Sequence, residues 1–303
     1  MTLNDELEQG LEVRKTHAQY RSRRITESAQ GAVIIIDGKQ LINFCSNDYL
    51  GLANHPEVVK AFKKAADVYG VGSGASQLVT GHQHPHHALE EELADFFGRE
   101  RVLLFSTGYM ANLGVVSALT ERHDEVFEDK LNHASLIDAA MLSRAKLTRY
   151  THKNTDGLEN QLEHSKEETK FIIRDGVFSM DGDIAKLNEI VALAEKYDAM
   201  IMVDDSHATG FVGTTGRGSA EYHNVLDKID IFTSTLGKAL GGGSGGFTAA
   251  SQDIIDLLRQ RSRPYLFSNS LTPALVAASI KAFELVNESN QLRRPASRHE
   301  SVS

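Results

Sequence analysis

A chain of 303 residues, 41% hydrophobic and 24% charged, is long enough for one large domain or two moderate ones and has the composition of a globular protein. Its formal net charge of −9 speaks against a general nucleic-acid-binding surface, which needs an excess of basic residues. The apolar runs are of strand length, far too short to cross a membrane, and a single cysteine, Cys45, excludes an internal disulfide framework and fits a reducing, cytoplasmic setting.

Residues 1–24 have the pattern of a charged amphipathic helix with no apolar stretch for export, and Ala32–Gly38 reads as a strand running into a turn. Pro56 stands where a helix begins, since the first helical position needs no N–H donor. From about Pro85, Leu89, Leu93, Phe96 and Phe97 fall on one helical face, and the strand-like Val102–Phe105 follows. Phe171–Arg174, Met200–Val203 and Ile229–Phe232 read as buried strands, with a helical stripe of Leu187, Ile190, Val191, Ala194 and Tyr197 between the first two. This alternation predicts an α/β fold: right-handed crossovers, a mostly parallel sheet and helices on both faces. Ligands in such sheets bind at the carboxyl ends of the strands.

Three polar segments fall at those ends. Lys238 follows the third strand within Ser234–Lys238 (STLGK) and precedes the glycine-rich Gly241–Gly246. Small neighbours leave room for a bulky group, and a partly desolvated lysine has the lowered pKa of a Schiff-base amine; a lone lysine is otherwise more often solvated. Asp204–His207 (DDSH) follows Met200–Val203, and an aspartate there suits a pyridinium nitrogen, although turn or cap chemistry would explain the pair alone. Ser106–Tyr109 (STGY) opens a helix after Val102–Phe105, a place where backbone N–H groups can cradle a phosphate. Gly70–Gly74 (GVGSG) lacks the preceding strand that a dinucleotide fingerprint requires. His82, His84, His86 and His87 cluster at a helix start with no accompanying cysteine, so surface residues and no metal are expected. The basic clusters Arg21–Arg24 and Arg259–Arg263 fit solvated faces or an anionic substrate equally well.

Asn47–Leu52 (NDYLGL), Asn132–Ser135 (NHAS), Gly176–Gly182 (GVFSMDG), Asp204–His207 and Thr235–Lys238 together resemble the α-oxoamine synthases, fold-type I enzymes dependent on pyridoxal 5'-phosphate (PLP). The resemblance runs from residue 1 to about 290. It implies that Lys238 carries the cofactor, Asp204 pairs with its ring nitrogen, His133 stacks on the ring, and His207 and Ser179 contact its phenolic side. It further implies a phosphate held by Gly108, Tyr109 and Thr235, with Ser268 reaching the cofactor of a neighbouring subunit. Asn47 is expected near the bound amino acid. The activity implied is condensation of an amino acid, alanine or glycine, with an acyl-CoA, in a cytoplasmic homodimer with shared active sites.

Within that family the two ends differ. Residues 1 to about 200, with Gly72–Gly81 and Ala88–Leu93, resemble the branch that condenses alanine with a pimeloyl thioester in biotin synthesis, the 8-amino-7-oxononanoate synthases; Arg21 matches a position that meets the distal carboxylate. Residues from Ser206 onward, with Arg259–Ser270, resemble the glycine C-acetyltransferases. The first is the expected activity because the acyl end of the pocket draws on the N-terminal half. A mosaic of the two, or a weakly active PLP-binding paralogue, are the alternatives. The expected organisation is an arm over 1–45, a large PLP-binding domain over 46–290 and a disordered tail over 291–303, with the family's small C-terminal domain missing.

Overall fold

The computed structural model describes residues 2–241 and 243–288; the expected tail lies outside the described residues. The chain divides into two compact units, Met1–Cys45 and Ser46–Ser303.

In the first unit, helix α1 (Leu3–Thr16) opens with a capping box between Thr2 and Asp5. It ends earlier than its amphipathic pattern predicts because Ala18 turns left-handed, with φ 55°, while His17 caps the last turn by donating Nδ1–H to Val13 O. Strands β1 (Val33–Ile36) and β2 (Lys39–Ile42) form an antiparallel hairpin. Asp37 and Gly38 between them both have positive φ, the turn whose twist matches paired strands.

The second unit is built on a seven-stranded sheet: β3 (Arg101–Phe105), β4 (Glu125–Asp129), β5 (Lys146–Tyr150), β6 (Lys170–Asp175), β7 (Ala199–Asp204), β8 (Ile231–Thr235) and β9 (Gly246–Ala250). Their spatial order is β3-β9-β8-β7-β6-β4-β5. β9 alone is antiparallel to its neighbours, so the other six strands point one way and deliver their carboxyl ends to one edge.

Alternation along each strand explains the layering. Val102, Leu104, Ile172, Ile201, Val203, Phe232 and Phe247 pack into one buried cluster, whereas Leu103, Phe105, Phe171, Ile173, Met202 and Ile231 pack into another. A period of two with both sets apolar requires cover on both faces. One cluster includes Val58 of α2 (Pro56–Tyr69), Leu89, Leu93, Phe96 and Phe97 of α3 (His84–Phe97) and the buried face of a helix over Leu187–Tyr197; the other includes Ala111, Val115 and Val116 of α4 (Gly108–Leu119) and Leu136 and Ala139 of α5 (Ala134–Ser143). The fold is therefore the predicted α/β architecture with a mostly parallel sheet. The strand expected over Ile229–Phe232 starts two residues later, because the Asp230 carboxylate accepts the Ile201 N–H at 2.7 Å in place of a ladder bond. No described helix is long and apolar enough to cross a membrane.

Candidate active site

The carboxyl ends of β3, β4, β6, β7 and β8 surround a cleft of about 190 Å³, lined among others by Gly108, Tyr109, His133, Asp204, His207, Thr235 and Lys238. Seven of the residues expected to serve the cofactor thus converge on one volume.

Lys238 lies in the turn after β8, half-buried, and donates from Nζ to His207 Nε2 at 2.7 Å. Burial lowers the Lys238 pKa from its ordinary value, partly opposed by the Asp204 and Asp175 carboxylates. Burial, reinforced by the Lys238 ammonium, pushes His207 down to about 4. The imidazole is therefore neutral near pH 7. With Nε2 accepting, Nδ1 carries the proton and donates to Tyr49 Oη at 2.7 Å, and Tyr49 leans toward Asn47 Oδ1 at 3.4 Å. The chain Lys238–His207–Tyr49–Asn47 runs from the reactive amine to an exposed asparagine.

This arrangement carries a pH prediction. An unfolded histidine titrates near 6.5, so between about 6.5 and 4 the unfolded chain binds the extra proton and the folded chain does not. The stability contributed by neutral His207 is present in full above about 6.5 and is lost as pH falls toward 4. In ¹⁵N-labelled protein at pH 6, the His207 ring is expected to show a neutral, Nδ1-protonated pattern. A cationic ring at that pH would contradict the geometry.

Asp204 ends β7 beside Asp175 of β6, its register partner. Its Oδ2 accepts from Asn112 Nδ2 at 2.6 Å and its Oδ1 from the Ser206 N–H at 2.9 Å. The neighbouring Asp205 turns the other way, fully buried, and takes the N–H and hydroxyl of Ser219 at 2.8 and 2.5 Å. Burial pushes Asp205 up to about 7. Of the Asp-Asp pair, Asp204 alone lines the cleft, while Asp205 binds the start of the short helix Ser219–Tyr222.

His133 caps α5. Its Nδ1 accepts from Ser135 Oγ at 2.7 Å, its N–H donates to Asp175 Oδ2 at 2.7 Å, and the Tyr109 ring stands edge-on 6.2 Å away. Burial and the Asp204 charge hold the Asp175 carboxyl well above the usual range. The Tyr109 hydroxyl donates to Asp138, which raises its pKa.

At the start of α4, Thr107 takes the N–H groups of Met110 and Ala111, leaving those of Gly108 and Tyr109 for an anion. A Cβ on Gly108 would stand 3.3 Å from Thr235 Cβ, and one on Gly246 would lie 2.6 Å from Gly108 N and Cα. The glycines keep this cradle open. Thr235 Oγ1 accepts from Gly237 N–H and donates to Gly245 O.

Ser179, Ser268 and Asn47 are not among the residues that line this cleft. Ser179 is exposed in the loop after β6, Ser268 is half-buried beside Asn269, and Asn47 is exposed at the end of the chain just described. Arg21 is exposed in the first unit. Asn112, Tyr49, Asp175, Ser135 and Ser206 belong to the site and were not singled out by sequence. Asn112 carries a usable signal, an amide inside the otherwise apolar run Met110–Val116.

A family model for class I and II aminotransferases matches residues 39–302. The chain is 52% identical over 280 residues to 8-amino-7-oxononanoate synthase of Methylococcus capsulatus, covering 92% of this chain and 72% of that protein. It is 49% identical over 292 residues to 2-amino-3-ketobutyrate coenzyme A ligase of Salmonella typhimurium, covering 95% and 73%. A serine palmitoyltransferase from S. paucimobilis, solved with a bound PLP–myriocin aldimine, superposes with a TM-score of 0.90 at 32% identity over 95% of this chain and 73% of that one. The chain belongs to the class I and II aminotransferase family, in its α-oxoamine synthase branch.

The residues present fit PLP, the cofactor of that branch. The cleft combines a desolvated amine at Lys238, a carboxylate at Asp204 and an anion cradle at Gly108 and Tyr109 that a single added Cβ would close.

Proposed function

We propose that this protein is a PLP-dependent C-acyltransferase that joins alanine to a pimeloyl thioester with loss of carbon dioxide, acting as an 8-amino-7-oxononanoate synthase in biotin biosynthesis. The observation that carries the reading is the Lys238–His207 contact in a cleft shared with Asp204 and the start of α4. The 52% identity to the M. capsulatus synthase supports the choice of substrates.

PLP bound in the cleft supplies an electron sink for negative charge at the amino acid's α-carbon. The Lys238 amine, its pKa lowered by burial, is suited to bind the cofactor and then to take the α-proton at Nζ. Neutral His207 accepts a hydrogen from that amine and orients its lone pair. Asp204, held on both oxygens, would pair with the cofactor's ring nitrogen, and His133, fixed through Ser135, would lie against the ring. Gly108, Tyr109 and Thr235 would receive the phosphate, and Asn47 would stand by the amino acid. On family likeness alone we assign Ser179 to the phenolic side, Ser268 to the partner subunit's cofactor and Arg21 to the distal carboxylate. The same likeness supports a cytoplasmic homodimer.

Condensation of glycine with acetyl-CoA is a second reading, supported by 49% identity to the S. typhimurium ligase. The PLP-loaded protein is to be given alanine with pimeloyl-CoA, or glycine with acetyl-CoA, and the products and carbon dioxide measured. Turnover with carbon dioxide release from the first pair is expected. Turnover confined to the second pair would replace the proposal with its rival.

A further inference from the structure

The histidines around Pro85 do not share one environment. His86, expected at the surface, is fully buried: its Nδ1 accepts the Gln83 N–H at 3.1 Å and its Nε2 donates to Leu271 O at 2.8 Å. Both ring nitrogens are used in holding the start of α3. His82 and His87 are exposed, and a third group joins them. One turn along α3, Glu90 shares a face with His87, and the donor atoms of His82, His87 and Glu90 all lie within 4.8 Å of one another.

Glu90 is an unusual member of such a group because it is 7% exposed. Its Oε1 accepts the Leu104 N–H at 3.2 Å, and its Oε2 faces His82 Nε2 at 3.9 Å. A buried carboxylate is costly unless hydrogen bonds or a cation meet it. Two other groups act on the cluster: the Arg259 guanidinium, whose Nη1 pairs with Asp256 at 3.0 Å, and Glu91, 3.2 Å from His87 Nε2.

We propose that His82, His87 and Glu90 form a site for a zinc-class divalent cation, with water completing the shell. Two imidazoles and one carboxylate suit zinc, whereas magnesium and calcium favour oxygen ligands throughout. Ligand atoms around one tetrahedral zinc stand roughly 3.4 Å apart, so the His82–Glu90 pair closes by about half an ångström on binding. The ion would pin the turn before α3 to the helix. Leu104 of β3, held by Glu90 and by Gln77 Nε2 at 2.8 Å, would be stiffened with it.

The test uses the full-length, PLP-loaded protein, freed of metal by a chelator and titrated with zinc chloride against a chromophoric chelator. One saturable zinc site per chain is expected, with cobalt chloride giving visible bands of a four-coordinate ion and magnesium chloride failing to compete. The double variant His82→Asn/His87→Gln changes two exposed side chains and is expected to weaken zinc at least ~100-fold, because losing even an outer-shell partner costs about 10–100-fold. His84→Asn, outside the ligand set, is expected to bind as the parent does. No saturation below millimolar zinc, unchanged affinity in the double variant, or an equal loss in His84→Asn would each overturn the proposal.

Discussion

Replacing Lys238 with alanine is expected to lower turnover by on the order of 10⁴-fold or more, the scale of loss when a covalent nucleophile is removed. The size follows from the number of tasks the geometry gives one atom. Nζ is the group in the cleft with both a lowered pKa and a direct line to His207, and no second lysine lines the volume among the described residues. Borohydride reduction of the parent with PLP, followed by peptide mapping, is expected to place the cofactor on Lys238, and the variant should carry no label. The fold should survive, because the side chain is half-buried and donates to a neutral imidazole. Labelling of another lysine in the folded variant would reassign the nucleophile.

Much of this site is legible in the sequence. Lys238, Asp204, His207 and Gly108 follow strands whose apolar, β-branched runs announce burial on both faces, and in a parallel sheet that alone sends them to one edge. The rest was hidden for identifiable reasons. β9 follows the glycines of Gly241–Gly246 and reads as Gly-Phe-Thr-Ala-Ala, too weakly patterned to announce a strand, yet it joins β3 to β8. Tyr49 and Asn47 come from a segment nearly 160 residues before His207, a pairing that local periodicity does not encode. Asp175 and Asp204 end two separate strands. They become coupled only through the β6–β7 register, which sets them side by side.

Asn112 is the residue whose replacement should separate positioning from chemistry. It is buried within α4, and its Nδ2 donates both to Asp204 Oδ2 at 2.6 Å and to Ser135 Oγ at 2.8 Å, while its Oδ1 accepts from Thr233 Oγ1 at 2.7 Å. Because Ser135 in turn donates to His133 Nδ1, one amide orients both the carboxylate and the imidazole of the cleft. Asn112→Ala leaves those partners unsatisfied, each worth about 1–3 kcal/mol when buried, and is expected to cost stability in that range. A loss in kcat/KM of roughly 10–100-fold should accompany it, by analogy with groups that orient metal ligands. Stability loss alone would not reveal a positioning role. Asn112→Asp supplies that readout: it sets a second carboxylate against Asp204, and two acids so close cannot both ionise. The pH midpoint of the bound cofactor's absorption band is expected to move in Asn112→Asp and to stay near the parent value in a core variant of similar stability, Val115→Ala. An unmoved midpoint would reduce Asn112 to a packing residue of α4.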